Sequence, residues 1–88
     1  MEIVYTRTAL NDIAFYKKTG SKALQSRIQR LINQIQESPF EGIGKPHRLI
    51  GDLSGCWAVK IDDKNRIVYE VDDNRIIIHS LVGHYFDK

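Results

Sequence analysis

The spacing of apolar residues changes as the chain proceeds, and each change marks a new element. Ile3, Val4 and Tyr5 form a short β-prone run, and Thr6 after them is a good helix N-cap, so a first strand gives way there to a helix. Leu10, Ile13, Ala14 and Lys17 then recur at helical spacing, and Gly20 stops them. Ser21 caps a second helix on which Leu24, Ile28, Leu31 and Ile35 fall on one stripe, with Ile32 beside it. Arg27, Arg30, Asn33, Gln34 and Glu37 occupy its other faces. Pro39 disfavours helical backbone at the residue before it, so this helix ends at Ser38. A two-helix hairpin packed on a sheet is the simplest way to bury the stripe.

From Trp57 onward the period falls to two. Trp57, Val59 and Ile61 alternate with Cys56, Ala58 and Lys60, and Ile67, Tyr69 and Val71 alternate with Arg66, Val68 and Glu70. The polar clusters 62–65 and 72–74 are turns, and Arg75 to Leu81, with three consecutive isoleucines, is apolar on both faces, as for a strand well inside a sheet. The order is β-α-α-loop-β-β-β, with a short strand expected at Leu49-Ile50 within the loop. The fold class is α+β: an N-terminal strand, a two-helix hairpin, then a mostly antiparallel sheet covered on one face by the helices. If Trp57, Val59, Ile61, Ile67, Tyr69 and Val71 face the helices, Lys60 and Arg66 emerge together on the open face. Two cations on strands are held more rigidly than two on loops, although exposed strand positions also carry Lys and Arg for solubility and edge protection.

Between helix and sheet, the stretch 39–57 holds four of the six glycines and both prolines, so it reads as a shaped loop and neither helix nor strand. Lys45, His47 and Arg48 lie inside it. Such a loop can set a titratable ring and two cations against a ligand, or it can only negotiate the crossing from helix to sheet.

At 88 residues the chain has room for one core, so residues 1–88 are expected to form a single domain. Hydrophobic residues at 42% and charged residues at 27% are ordinary for a soluble globular protein and argue against disorder. No apolar run approaches the roughly 20 residues that span a bilayer, and the first residues lack the order of a signal peptide, so a cytoplasmic location and no membrane partner are expected. Cys56 is the one cysteine, so neither an intrachain disulfide nor a cysteine-based metal site is expected, and no His-x3-His or carboxylate–histidine spacing points to another metal site. The net charge of +2 is mild, but Lys45, Arg48, Lys60, Lys64, Arg66 and Arg75 interleave with three histidines, as in a footprint for a polyanion or simply in a solvated face.

Histidine, with an ordinary pKa of about 6.5, is the side chain best suited to acid–base work near neutral pH. His79 lies inside an apolar strand and reads as structural, leaving His47 in the loop and His84 beside Tyr85 near the C-terminus. A loop histidine, a C-terminal histidine and cations on a sheet face are the parts needed to cleave RNA through its own 2′-hydroxyl. A base removes that proton, an acid protonates the departing 5′ oxygen, and Arg or Lys holds the charge that builds on phosphorus. Since the substrate supplies the nucleophile, such a reaction requires no metal.

Four motifs carry a resemblance: Pro39-Phe40-Glu41-Gly42-Ile43-Gly44-Lys45-Pro46 with Leu49, Leu53-Ser54-Gly55 with Trp57, Asn65-Arg66-Ile67-Val68-Tyr69, and His84-Tyr85. Together and in this order they resemble the YoeB/Txe toxins of bacterial toxin–antitoxin pairs, within the RelE/ParE superfamily, over essentially the whole chain. The resemblance implies a RelE-like, microbial-ribonuclease-like fold. It also implies a ribosome-dependent mRNA endonuclease that cuts in the A site, needs no cofactor and is held silent by a cognate YefM/Axe-like antitoxin. Carried over by position, Arg66 matches the arginine that stabilises the transition state, His84 the general acid and Tyr85 the adjoining tyrosine that orients substrate. Lys45, Arg48 and Lys60 are the expected substrate-binding cations. Three positions depart from the pattern. Lys60 stands where close relatives have arginine and lacks its bidentate fork, Ile50 stands where the family commonly has lysine, and His47 stands where a glutamate serves as general base. His47 either takes over as base beside a protonated His84, giving a bell-shaped pH dependence, or only binds phosphate and leaves a weak nuclease.

Two other functions fit the same basic surface: a ribosome- or RNA-binding module that blocks translation by occupancy, and a ParE-like poison of gyrase. Arg66 and His84-Tyr85 argue against the second of these. The expected partners are therefore the antitoxin, the ribosome and mRNA, with a homodimer among the assemblies that relatives form.

Overall fold

The computed structural model describes residues 1–42 and 44–83. Strand β1 (Glu2–Tyr5) leads into α1 (Arg7–Thr19) and α2 (Lys22–Glu37); β2 (His47–Arg48), a 3-10 turn (Gly51–Leu53), β3 (Trp57–Lys60), β4 (Arg66–Asp72) and β5 (Arg75–Ser80) follow. Both helices start where a hydroxyl accepts an orphan amide: Thr6 Oγ1 from the Ala9 N–H at 3.1 Å, and Ser21 Oγ from the Leu24 N–H at 3.1 Å. They stop at Gly20 and Ser38, as the sequence leads one to expect.

The five strands lie in the order β1-β5-β4-β3-β2. All pairs are antiparallel except β1 with β5, where Glu2 to Tyr5 run alongside Arg75 to Ile78. Strand β5 is thus interior, which explains its run of isoleucines. Ile28, Leu31, Ile32 and Ile35 of α2 join Val59, Ile61, Ile67, Tyr69, Ile76, Ile78 and Leu81 in one core. Tyr69 and Tyr16 bring hydroxyls into it and both find carbonyls: Tyr69 donates to Pro39 O, and Tyr16 donates to Leu81 O at 2.8 Å. Burial pushes both phenols up, that of Tyr16 to about 12 with the carboxylates of Asp62 and Asp12 adding to the effect.

Three expectations are corrected. The buried residues of α1 are Ala9 and Tyr16, with Ile13 packed against the core, while Leu10 is 56% exposed and Ala14 is exposed. Helical spacing alone left the phase of this short helix open, and the aromatic ring of Tyr16 with its buried acceptor decides it. The strand expected at Leu49-Ile50 lies two residues earlier, at His47–Arg48, so the stretch 39–57 contains both a strand and a 3-10 turn. The sheet face away from the helices is not bare either. Ala58 and Val68 on that face are 0% and 2% exposed, and segment 49–53 stands across from it over a cavity of about 760 Å³. Among the described residues no helix is long and apolar enough to cross a membrane.

Candidate active site

The β3–β4 register sets Lys60 directly opposite Arg66. Like charges in that relation repel, and an anion placed between them would relieve the repulsion. Lys60 is exposed and reaches Asp63 at 3.7 Å, a surface contact worth little, whereas Arg66 is half-buried and lines the cavity. The turn joining the two strands is fixed by Asp62, whose carboxylate accepts from the Lys64 and Asn65 amides at 2.9 and 2.8 Å. Desolvation pushes that carboxyl up, but these bonds, the Asn65 side chain and the nearby Arg27 outweigh it and hold the group below its ordinary value.

His47 enters through β2, which pairs it with Ala58, so the histidine stands on the same sheet side as Ala58, Lys60 and Arg66. With strands about 4.8 Å apart and about 3.4 Å of rise per residue, its Cα is roughly 12 Å from that of Arg66, room for a phosphate and a ribose between them. The approach to β2 is made by Gly44 (φ +83°) and Lys45 (φ 50°), successive residues in left-handed backbone; Lys45 is exposed and its N–H donates to Gly42 O at 3.1 Å. Arg48 is elsewhere. It pairs with Trp57 on the other side of the sheet, its guanidinium 5.5 Å from the indole centroid, and Phe40 stacks on the same indole at 4.8 Å. The geometry thus gathers His47, Lys60 and Arg66 on one side, and separates Arg48 from them.

His84 and Tyr85 lie outside the described residues. The segment that leads to them is firmly held. Asp12 of α1 accepts from the Leu81 and Val82 amides at 2.8 and 3.1 Å, Tyr16 donates to Leu81 O, and the Gly83 N–H donates to Asn65 Oδ1 at 3.3 Å. The residue before His84 is therefore anchored to the residue before Arg66.

One part of the cleft was missed in the sequence. Between Ile78, opposite Tyr69, and Ser80, opposite Val68, the register shifts, and His79 is the inserted residue. The core positions accordingly step from Ile78 to Leu81, and both His79 and Ser80 line the cavity. His79 Nε2 meets Glu70 Oε1 at 2.7 Å, each side chain 38% exposed. Cys56 completes the group: single ligand atoms of Cys56, Glu70 and His79 lie within 4.8 Å of one another. Burial first and the Glu70 charge second push the Cys56 thiol up. The two-residue turn after Asp72 was the available signal, since it fixes the hairpin register and puts Glu70 and His79 on one face.

With this geometry in view, the chain can be compared with known proteins. Residues 5–85 match the model of the YoeB-like toxins of bacterial type II toxin–antitoxin systems. A toxin YoeB of Streptomyces coelicolor is 40% identical over 85 residues, covering 97% of this chain and 100% of the relative. Among solved structures, a YoeB/ParE toxin from Agrobacterium tumefaciens superposes with a TM-score of 0.89 at 32% identity, covering 97% of this chain and 100% of that one. YoeB of Staphylococcus aureus, seen in a YoeB–YefM complex and as a YoeB dimer, superposes at 0.84 with 34% identity, covering 97% and 98% of the two chains. The α+β sheet with its two-helix cover is the fold these toxins share, and the chain belongs to the YoeB-like toxins of bacterial type II toxin–antitoxin systems.

Proposed function

We propose that residues 1–88 act as one domain and as a metal-independent endoribonuclease that cuts mRNA in the ribosomal A site and so stops translation in the cytoplasm. The observation that carries the reading is the pairing of Lys60 with Arg66 on the side of the sheet that also bears His47. Two cations set against each other gain from a phosphate placed between them, and a histidine about one nucleotide away is within reach of the adjoining 2′-hydroxyl. His47 takes the 2′-hydroxyl proton, the freed oxygen attacks phosphorus, and Arg66 with Lys60 balances the charge on the phosphorane. His84 protonates the departing 5′ oxygen, leaving a 2′,3′-cyclic phosphate and a 5′-hydroxyl, while Tyr85 orients the substrate. Support for the place of His84 in this scheme is the Gly83–Asn65 bond, which ties its chain neighbour to that of Arg66. Lys45, on the exposed approach to β2, holds the backbone of the message or of ribosomal RNA. Arg48, packed on Trp57, contributes to RNA contact from the other side of the sheet, at its β2 edge. A YefM/Axe-like antitoxin, as in the Staphylococcus complex, restrains the toxin, and the protein forms a homodimer as that relative does.

The test is mRNA cleavage in a reconstituted translation system, with and without ribosomes and in the presence of EDTA. We expect ribosome-dependent cuts that survive EDTA and are lost in His47→Gln, Arg66→Ala and His84→Gln. Translation inhibited with intact mRNA overturns the nuclease in favour of occupancy of the ribosome.

A further inference from the structure

We propose that Cys56, Glu70 and His79 form a zinc-binding site on the sheet side of the cleft. The hydrogen-bond contact of Glu70 with His79 explains two of these residues, but not why a thiol stands beside both. A neutral thiol is a weak hydrogen-bond partner and adds little to such a pair. The donor set itself excludes the hard cations. Sulfur, imidazole nitrogen and carboxylate oxygen together suit Zn²⁺, whereas magnesium and calcium call for oxygen alone.

The geometry is close to what the ion needs. Zinc with bonds of about 2.0–2.3 Å in a tetrahedron spaces its ligand atoms roughly 3.5 Å apart. Here all three atoms already lie within 4.8 Å of one another, and Nε2 and Oε1 are at 2.7 Å. Closing on an ion takes side-chain rotations of about an ångström, which half-exposed side chains can make without disturbing the core. Meanwhile the backbones that carry them are held. The Cys56 N–H donates to Leu53 O at 2.9 Å and its carbonyl accepts from the Leu49 N–H at 3.0 Å, Glu70 lies within β4, and the His79 carbonyl accepts from Thr6 Oγ1 at 2.9 Å. Ligands carried on supported backbone are what a metal site requires. The bulge at His79 brings its imidazole to the cavity, and three protein ligands leave a fourth position for a solvent molecule.

This site does not rest on the nuclease reading, and its ion takes no part in the cleavage proposed above. The experiment is a titration of the metal-free chain, residues 1–88, with Co²⁺ as a spectroscopic substitute for zinc. We expect one equivalent to bind with a near-ultraviolet thiolate-to-cobalt band and visible bands of tetrahedral intensity, bleached when Zn²⁺ is added. Cys56→Ser removes the near-ultraviolet band, and His79→Gln and Glu70→Gln each weaken binding more than about tenfold. Circular dichroism of each metal-free variant establishes that it folds; if Cys56→Ser does not, the two other variants and the thiolate band of the unaltered chain decide. Absence of that band, or affinity kept in His79→Gln but lost in His47→Gln, overturns the site.

Discussion

Replacing Gly44 with alanine separates two demands that the backbone places on the approach to His47. A Cβ at this position would stand 3.0 Å from Leu31 Cδ2 and 3.2 Å from Val59 Cβ, and φ is +83°. Left-handed backbone costs an L-residue about 1–2 kcal/mol, and a methyl forced against a packed core adds about 1–3 kcal/mol. Neither neighbour can yield freely, since Leu31 is 4% and Val59 0% exposed. The sum is about 3 kcal/mol, and at about 4–8 °C per kcal/mol for a domain of this size the midpoint falls by roughly 12–24 °C. Gly51 supplies the control, because its φ is +76° with nothing within 4 Å of the added carbon. Gly51→Ala meets only the backbone cost, and its midpoint falls by about 4–16 °C. Both are read by thermal unfolding followed by circular dichroism, with urea denaturation to give the free energy. Equal losses in the two variants refute the close approach of Gly44 to the core, and no loss in either refutes the left-handed backbone.

Tyr69→Phe leaves the Pro39 carbonyl without its buried donor and lowers stability by about 1–3 kcal/mol; urea midpoints check this, and an unchanged midpoint removes the bond from the account. Asp62 is held below the ordinary carboxyl value of 3.8, so its contribution is present above that value and is lost as pH falls through the lower, folded one. Stability measured from about pH 6 down to about pH 2.5 therefore declines more steeply in the unaltered chain than in Asp62→Asn, and parallel curves would falsify the assignment. Lys60→Arg restores a planar fork opposite Arg66 and raises affinity for single-stranded RNA by about threefold to tenfold in a binding titration, an effect that shrinks as salt rises; no gain means that Lys60 does not touch phosphate.

The parts of this molecule most readable in the sequence are those where one local rule decides. The α2 stripe from Leu24 to Ile35, its Ser21 cap and the halt before Pro39 need no distant information, and they stand as expected. The alternation of β3 and β4 is equally local, and it placed Lys60 and Arg66 on one side. What escaped depends on long-range partners. Leu10 and Ala14 satisfy a helical period as well as Ala9 and Ile13 do, and only the docking of Tyr16 on Leu81 chooses between them. Arg48 was grouped with His47 because they are adjacent, but adjacent residues on a strand point to opposite sides. His79 was set aside as structural because its strand is apolar, whereas the hairpin register joins it to Glu70, and no sequence spacing reveals Cys56 beside them.

The parallel pairing of β1 with β5 has a consequence in time. A ribosome makes Glu2 to Tyr5 and, roughly seventy residues later, their partners Arg75 to Ile78, an interval of about 4–15 s at about 5–20 residues per second. Throughout it β1 has no strand to join, since β5 is the neighbour that links it to the rest of the sheet. The nascent chain can build its helices early, but it cannot close its sheet or set His79 against Glu70 until β5 emerges. Any partner that captures this toxin before it acts has those seconds as a head start.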